Sequence, residues 1–468
     1  MLLNRPGVNS DRRANVAMGP RGNNLSDRIA EAIHREGSRD GSAGIVRVEV
    51  TIPRTHALAW LRAQAPSAVK MYWADRDGGD EVACIGAADL VAGGESDGVE
   101  SLFQDLRDRL GPEDTVARYF GGLRFDGKYG SDAAWRDFGG CRFVLPRFEL
   151  SQRGSDSVLA CQWRRTADTA ETLMKEVDAL VFPAFEARWA NPEATGCEDL
   201  PDRAGWDGAV NGTLDLVSEG SVGKVVLARK TIFEFPVDLD PVGCLRALLP
   251  EAEHCYRFCF VPARGRAFLG ASPERLYRRE GRHILCDAIA GTRTRGNGAS
   301  LDRQLERDLM GSEKERREQD YVVQGIRESL APLCDSLNAG ANPSVVKLRQ
   351  CQHLMSSFEG TLSEGVGDAE LLRTLHPTPA VGGYPTDRAL REIEKREPFD
   401  RGWYAGPVGW VGRDRAEFAV AIRSGLVDGS TLSVFSGAGI VAGSVPGDEW
   451  DELDYKIRHF TEALNLPR

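Results

Sequence analysis

Four stretches of the chain carry residues whose types and spacing could do chemistry. In GAGIVAGSVPGDEWDELDYKI a glycine-rich turn leads into a helix bearing Glu449, Glu452 and Lys456. Offsets of three and four residues put these charges on one helical face, so two carboxylates and an ammonium project together. The Gly437, Ala438 and Gly439 amides can approach an anion closely, because glycine clears space and the helix start favours negative charge. The arrangement suits a metal ion and an anion held at once, and equally a capped, solvated terminal helix with an incidental ion pair. Lys224 opens the strand KVVLARKTIFEF. Such a lysine is usually solvated, but buried among apolar neighbours it can serve as a general base. Glu274, in FLGASPERL, is a matching general acid if its surroundings keep it protonated, and a plain turn acid otherwise. Glu318, in SEKERREQDYVV, shares a helix side with Val322 and Gly325 although the run reads as a wet face. Paired with Glu452 it would make an oxygen-only site suited to Mg²⁺.

Other positions are conspicuous. AIAGTRTRG offers backbone amides and Thr292 near Arg293 and Arg295, and LHPTPAVGG holds His376 in a proline-fixed loop. Tyr404 and Arg423 read as strand residues in WYAGPVGW and AVAIRSG. An arginine among Ala, Val and Ile wants an anion, either a dicarboxylate ligand or an internal salt bridge.

The elements that must position these residues follow from periodicity. Leu25–Glu36 has helical spacing and Gly44–Ile52 alternates as a strand. MYWADRDGGDEVACIGAADL is a hairpin around a DG turn, and ARYFGGLRFD, CRFVLPRFEL and SVLACQWR continue the sheet. Thr169–Arg188 reads as an amphipathic helix, and the polar segment Asn191–Gly208 as an internal boundary or surface connection. Then come a helix over Val210–Gly220, the Lys224 strand, a helix near Pro241–Leu249, the strands YRFCFVPA, RAFLGASPE and RLYRREGRHILCDAIA, and one long charged helix over Leu301–Leu333 with a capping box from Ser312 to Glu315. The last strands are VVKLRQCQHLM, WYAGPVGWV, AEFAVAIRSGLV and LSVFSGAGIVAG. Runs of antiparallel strands interrupted by few helices predict an α+β fold. The expected organisation is a disordered tail over 1–24, a β-rich part over 25–190 and a catalytic region over 205–465.

Composition narrows the classes. A chain of 468 residues can bury a large core. The net charge of −11 and the lack of a long Lys/Arg block argue against nucleic acid as a partner. Ten cysteines without CxxC pairs read as reduced, mostly packed thiols, with Cys255 and Cys259 in the core. No apolar run reaches a membrane span. A cytoplasmic monomer acting on a small molecule is expected.

Taken together, GKVVLAR, FLGASPERL, AIAGTRTRG, the SEKERREQ helix, QHLMSSFEGTL, LHPTPAVGG, RGWYAGPVGW, AIRSG and the C-terminal GAGIVAGS stretch resemble the chorismate-utilising enzymes. They stand in that family's order from Asn211 to Ala463, and YWADRDG, IGAA and RYFGGLRFD resemble its isochorismate synthase branch, of menaquinone or siderophore type. The resemblance implies an anthranilate-synthase-like chorismate-binding fold, chorismate as substrate and Mg²⁺ as cofactor. It implies Lys224 as the base activating water at ring C2, Glu274 as the acid for the C4 hydroxyl, Glu318 and Glu452 as Mg²⁺ ligands, and Glu449 reaching the ion through water. Tyr404, Arg423, Gly437, Ala438, Gly439 and Lys456 would bind the carboxylates, His376 would line the ring, and Gly291 with Thr292 would face C4. Ala380 replaces a threonine usual in salicylate synthases, which favours hydroxyl transfer without pyruvate loss. A salicylate synthase and a non-catalytic chorismate-binding protein are the rival readings. Two positions depart from the family pattern: Gln319 stands where a histidine is usual, and Val445 where an aspartate is usual.

Overall fold

The alternation read from the strands dictates a two-sided sheet. In the strand Lys70–Ala74, Met71 and Trp73 enter one core while Tyr72 and Ala74 enter another. A computed structural model describes residues 25–37, 44–93, 98–111, 116–126, 132–165, 168–183, 192–340 and 343–467. The expected tail over 1–24 lies outside these residues. Among them, 20 strands form one hydrogen-bonded network in which every pairing is antiparallel.

One run of pairings passes from Ile45–Ile52 through Asp156–Arg164, Cys141–Arg153, Glu81–Gly93, Lys70–Ala74, Tyr256–Ala263, Arg266–Ser272, Ser424–Asp428 and Thr431–Ile440 to Lys224–Glu234. A second run branches from Cys141–Arg153 through Tyr119–Leu123, Pro407–Val411, Arg415–Val420, Arg275–Glu280 and His283–Thr294 to Cys351–Leu362. The runs enclose a shared core in which the rings of Trp135, Phe138, Phe268 and Trp403 meet mostly edge to face. The outer face of the first run is covered by the helices Ala57–Ala63, Pro241–Leu248 and Pro446–Leu464. The α+β expectation holds. No helix among the described residues is long and apolar enough to cross a membrane.

Several expected elements have different limits. Of the helix expected over Thr169–Arg188, Ala170–Asp178 is helical and 179–183 are not, while 184–188 lie outside the described residues. Beyond it, Gln64 clamps the extended backbone by donating Nε2–H to the Val181 carbonyl at 2.7 Å and accepting the Val181 N–H at 3.2 Å. The long helix over Leu301–Leu333 is two, Ala299–Gly311 and Glu313–Leu330, parted where Ser312 turns extended and its Oγ accepts the Glu315 N–H at 3.4 Å. VVKLRQCQHLM is a hairpin, with Ser344–Lys347 folded onto Cys351–Leu362. In the segment 191–208, Gly196–Leu200 is a strand on Lys224–Glu234, and Asp202 caps a helix running from Arg203 to Ser218. The Gly437–Gly439 stretch is not a turn: it is the end of the strand Thr431–Ile440, paired with Val226–Ala228. The turn into the last helix comes later, where Ser444 Oγ accepts the Val441 N–H at 3.2 Å. Val445, in place of an aspartate, gives that helix no side-chain cap.

Candidate active site

Three elements carry the principal site residues: the first turns of the helices Glu313–Leu330 and Pro446–Leu464, and the strand Lys224–Glu234 between them. The last helix is set by Trp206, whose indole N–H donates to the Pro446 carbonyl at 3.1 Å, and by Arg229, which bonds Asp454 at 2.6 Å and lies over the Trp450 ring. The other helix is fixed to the sheet by Gln319, whose buried amide donates to the Ala288 carbonyl at 3.0 Å and to Ser356 Oγ at 3.3 Å. Gln319 thus anchors the helix that bears Glu315 and Glu318.

Lys224 is fully buried, and its Nζ meets Glu318 Oε1 at 2.9 Å. The contact is a close charge pairing inside the fold. Burial acts to raise the Glu318 pKa, but Lys224, Lys456 and Lys314 outweigh it and the carboxyl is held below its ordinary value. Gly439 makes this pair possible. A Cβ there would stand 2.3 Å from Glu318 Oε1 and 2.7 Å from Lys224 Cε. Gly439→Ala should therefore displace the pair and lower turnover by about 100-fold. Steady-state kinetics beside a thermal melt checks this, and near-normal turnover would contradict the stated geometry.

Two more lysines face carboxylates on the last helix. Lys456 Nζ pairs with Glu452 at 2.7 Å and donates to the Gly437 carbonyl at 2.8 Å. Lys314 Nζ meets the buried Glu449 Oε1 at 2.6 Å. Burial, then repulsion from Glu452, raises the Glu449 pKa against the pull of Lys314.

Glu315 is a site residue that the sequence reading assigned only to a helix cap. Ser312 does cap the helix, but the Glu315 carboxylate turns to the sheet and accepts the Thr292 N–H at 3.1 Å. Burial and the charges of Glu318 and Glu452 push its pKa up to about 7. Its spacing of three residues from Glu318 was the signal available in the sequence. Gly291 accommodates it by a bulge with φ +69°, where a Cβ would lie 3.0 Å from Glu315 Oε2.

Glu315, Glu318, Glu449 and Glu452 thus face Lys224, Lys314 and Lys456, and the carboxylates repel one another. Hard oxygen donors in mutual repulsion fit a divalent cation that keeps few protein ligands. Among the described residues no group of three or more His, Cys, Asp or Glu side chains is placed to hold a metal ion, so any such ion would have at most two of these carboxylates as direct ligands.

Glu274 is 2% exposed, and its Oε1 has no hydrogen-bond partner. Burial pushes its pKa up to about 8, with Lys224 opposing and Asp287 adding. A carboxyl so placed holds its proton at neutral pH, as a general acid must.

Arg423 is not a strand residue. It lies between Arg415–Val420 and Ser424–Asp428 with φ +49°, a left-handed conformation that is strained for an arginine. Among the described residues it has no carboxylate partner. Its Nη2 instead donates to His353 Nε2 at 2.6 Å and to Cys351 Sγ at 2.8 Å. His353 Nδ1 faces Thr292 Oγ1 at 3.1 Å and the Gly291 carbonyl at 3.2 Å. Burial would raise the Cys351 thiol, but Arg423 and His353 outweigh it and pull the pKa down to about 6. Arg423 and Cys351 line one cleft with Thr292, Lys456, Tyr455 and His459.

Tyr404 lies in the turn before Pro407–Val411 rather than in a strand. It stacks on Phe435 at 5.0 Å, and its hydroxyl reaches to 2.9 Å from where a Gly437 Cβ would be. Ala438, fully buried, belongs to the strand ladder. His376 sits apart from the cluster: its Nε2–H donates to the Phe125 carbonyl at 2.8 Å, burial lowers its pKa to about 4, and it lines a separate cavity of 340 Å³ with Leu102, Phe125 and Leu390. Ala380 is a half-buried packing residue of the same loop. The histidine that contacts Arg423 is His353, within QHLMSSFEGTL, which the sequence reading quoted as a motif without a role.

The sequence model of the chorismate binding enzyme family matches residues 29–465. The chloroplastic isochorismate synthase 2 of Arabidopsis thaliana is 34% identical over 460 residues, covering 90% of this chain and 81% of that protein. The structure of MenF, the menaquinone-specific isochorismate synthase of Escherichia coli, superposes with a TM-score of 0.82 at 29% identity, covering 94% of this chain and all of that one. Anthranilate synthase component I of Streptococcus pneumoniae, at 19% identity and a TM-score of 0.66 over 90% of this chain and 93% of its own, shares the fold. The motif order and the fold are thus those of one lineage, and the chain belongs to the chorismate-binding enzymes, in their isochorismate synthase branch.

Proposed function

We propose that this protein is an isomerase converting chorismate to isochorismate in a Mg²⁺-dependent reaction. The observation that carries the reading is the pairing of functions in one buried site: Lys224, a fully buried amine, beside Glu274, a carboxyl whose pKa burial pushes up to about 8. Lys224, acting in its uncharged form, accepts a proton from water as that water forms the C2–O bond. The ring double bonds shift, the C4–O bond breaks, and Glu274 gives its proton to the departing hydroxyl. Water enters and water leaves, so the net change is a hydroxyl moved from C4 to C2.

Arg423, held by His353 and Cys351, is the cation for one substrate carboxylate, with Lys456 lining the same cleft and Tyr404 reaching Gly437. Glu318 and Glu452 would hold Mg²⁺, with Glu449 and Glu315 around it. The ion would supply positive charge for the other carboxylate. Thr292, fixed by Glu315 and His353, faces the ring.

The test is incubation of the protein with chorismate and Mg²⁺, with product separation by chromatography and an enzymatic assay for pyruvate. Isochorismate without pyruvate is the expected result. Pyruvate released in step with turnover would instead assign a salicylate synthase, and no turnover would leave a binding protein. Glu318→Gln should weaken Mg²⁺ binding at least tenfold in titration calorimetry, and an unchanged affinity would remove Glu318 from the metal site.

A further expectation concerns Cys351. A thiol drawn into Arg423's reach should be alkylated by iodoacetamide ahead of the buried Cys84, Cys244 and Cys259, whose pKa values burial raises. Chorismate should protect it while leaving the exposed Cys197 reactive. Peptide mass spectrometry reads both, and labelling of Cys351 indifferent to chorismate would place the substrate carboxylate elsewhere.

A further inference from the structure

The turn of the hairpin Lys70–Ala74 and Glu81–Gly93 lies about 200 residues before the proposed acid in sequence, yet its Arg76 reaches the acid's own loop. Arg76 Nη1–H donates to the Pro273 carbonyl at 2.9 Å, and Nη2 pairs with Asp287 Oδ2 at 2.5 Å. The Asp287 side chain is 1% exposed and that of Arg76 13%. On its other side the loop is held by Ser272 Oγ, which accepts the Glu274 N–H at 3.2 Å, and by the Val420 N–H, which donates to the Glu274 carbonyl at 3.1 Å. Asp287 also accepts from Ser357 Oγ at 3.1 Å, and Arg275 stands 3.8 Å away. Arg76 is thus the near cation that neutralises a buried aspartate beside the acid.

We propose that Arg76 is a positioning residue for Glu274: it clamps the Pro273 carbonyl and cancels the Asp287 charge, so fixing where the carboxyl points and what charge it faces. The inference rests on the reading of Glu274 as the acid. The groups facing that carboxyl are Lys224 from its strand, Lys456 from the last helix, Asp287 from His283–Thr294 and Arg76 from the hairpin. Loss of Arg76 removes a nearby positive charge and exposes a negative one. Both changes make Glu274 hold its proton to higher pH. Loss of the Asp287 charge does the reverse.

The experiment is the pH dependence of kcat and KM for chorismate in Mg²⁺-loaded enzyme. Arg76→Gln should lower kcat by about 10–100-fold, with KM changed by less than about threefold, and should move the alkaline limb to higher pH. Asp287→Asn should move that limb to lower pH, and the double variant should return it towards the wild-type position. Arg76→Lys, which keeps the charge and loses the two-pronged contact, should leave the limb in place with reduced kcat. These last two variants also cover the case in which Arg76→Gln fails to fold. Limbs that stay at the wild-type pH in all variants, with losses that track thermal stability alone, would overturn the proposal. Failure of the underlying reading has a different signature: Glu274→Gln would then retain near-normal turnover, or the wild type would make no isochorismate.

Discussion

Lys224→Ala is expected to abolish isochorismate formation, with a loss of about 10³-fold or more in kcat and a KM for chorismate within several-fold of the wild type. A positioned general base contributes on the order of 10²–10⁴-fold, and no other amine stands where Lys224 does. Lys456 is committed to Glu452 and the Gly437 carbonyl, and Lys314 to Glu449. The substitution also leaves Glu318 without its 2.9 Å partner in a buried setting, which costs stability as well as catalysis. Lys224→Met keeps the volume and removes only the amine, so it separates the loss of packing from the loss of the amine, while Glu318 loses its partner in both variants. If the amine is the base, both variants lose turnover alike and added methylammonium restores part of it in Lys224→Ala. Activity within tenfold of wild type in either variant would remove Lys224 from the role.

Glu274→Gln is the second substitution of large expected effect, with kcat reduced by about 10²–10⁴-fold. Its pH behaviour carries a sign that can be worked out. Glu274 must be protonated to act, and its pKa is pushed up to about 8 by burial. The wild-type rate should therefore hold through neutrality and fall as pH rises through about 8. Stability follows the same group. A carboxyl whose folded pKa lies above its unfolded value contributes stability that is fully present below the unfolded pKa and is lost as pH rises through the folded one. The wild type should thus lose stability between mildly acidic pH and about 8. Glu274→Gln lacks the titrating group and should melt at higher temperature than the wild type at pH 9. Thermal melts at pH 5 and pH 9 check this, and equal shifts at both pH values would show that the carboxyl is not held protonated.

What could be read in the sequence follows distance along the chain. Period-2 patterns gave the antiparallel strands, and the offsets of three and four on the last helix gave Glu449, Glu452 and Lys456 a common face. Ser312 was legible as a helix cap, because capping is a contact across three residues. The same locality misled at Glu315. Its place in a capping box is a pattern within one turn of helix, whereas its carboxylate answers to Thr292, 23 residues away and on another element. Tyr404 and Arg423 read as strand residues because their neighbours are apolar, but the chain turns at both, and Arg423 takes a left-handed backbone that no apolar pattern encodes. The prolines and glycines that fix the loop of His376 left it readable as structural or as site-forming, and only the family resemblance placed it at the ring. The loop is fixed for packing against Phe125, and His353 stands at Arg423 instead.

By itself the sequence determined the kinds of group available: one lysine at a strand mouth, one glutamate after a proline, glutamates on two helices, and an arginine among aliphatic residues, in the order of a known family. The tertiary structure decided their states. Burial and neighbours far away in sequence set whether a carboxyl keeps its proton, as with Glu274 between Lys224 and Asp287, and whether a lysine is paired, as with Lys224 on Glu318. They also brought in Arg76, whose role no local pattern could reveal. The reason is physical: side-chain type is written residue by residue, while the charge and solvent around a group are properties of everything the fold packs against it.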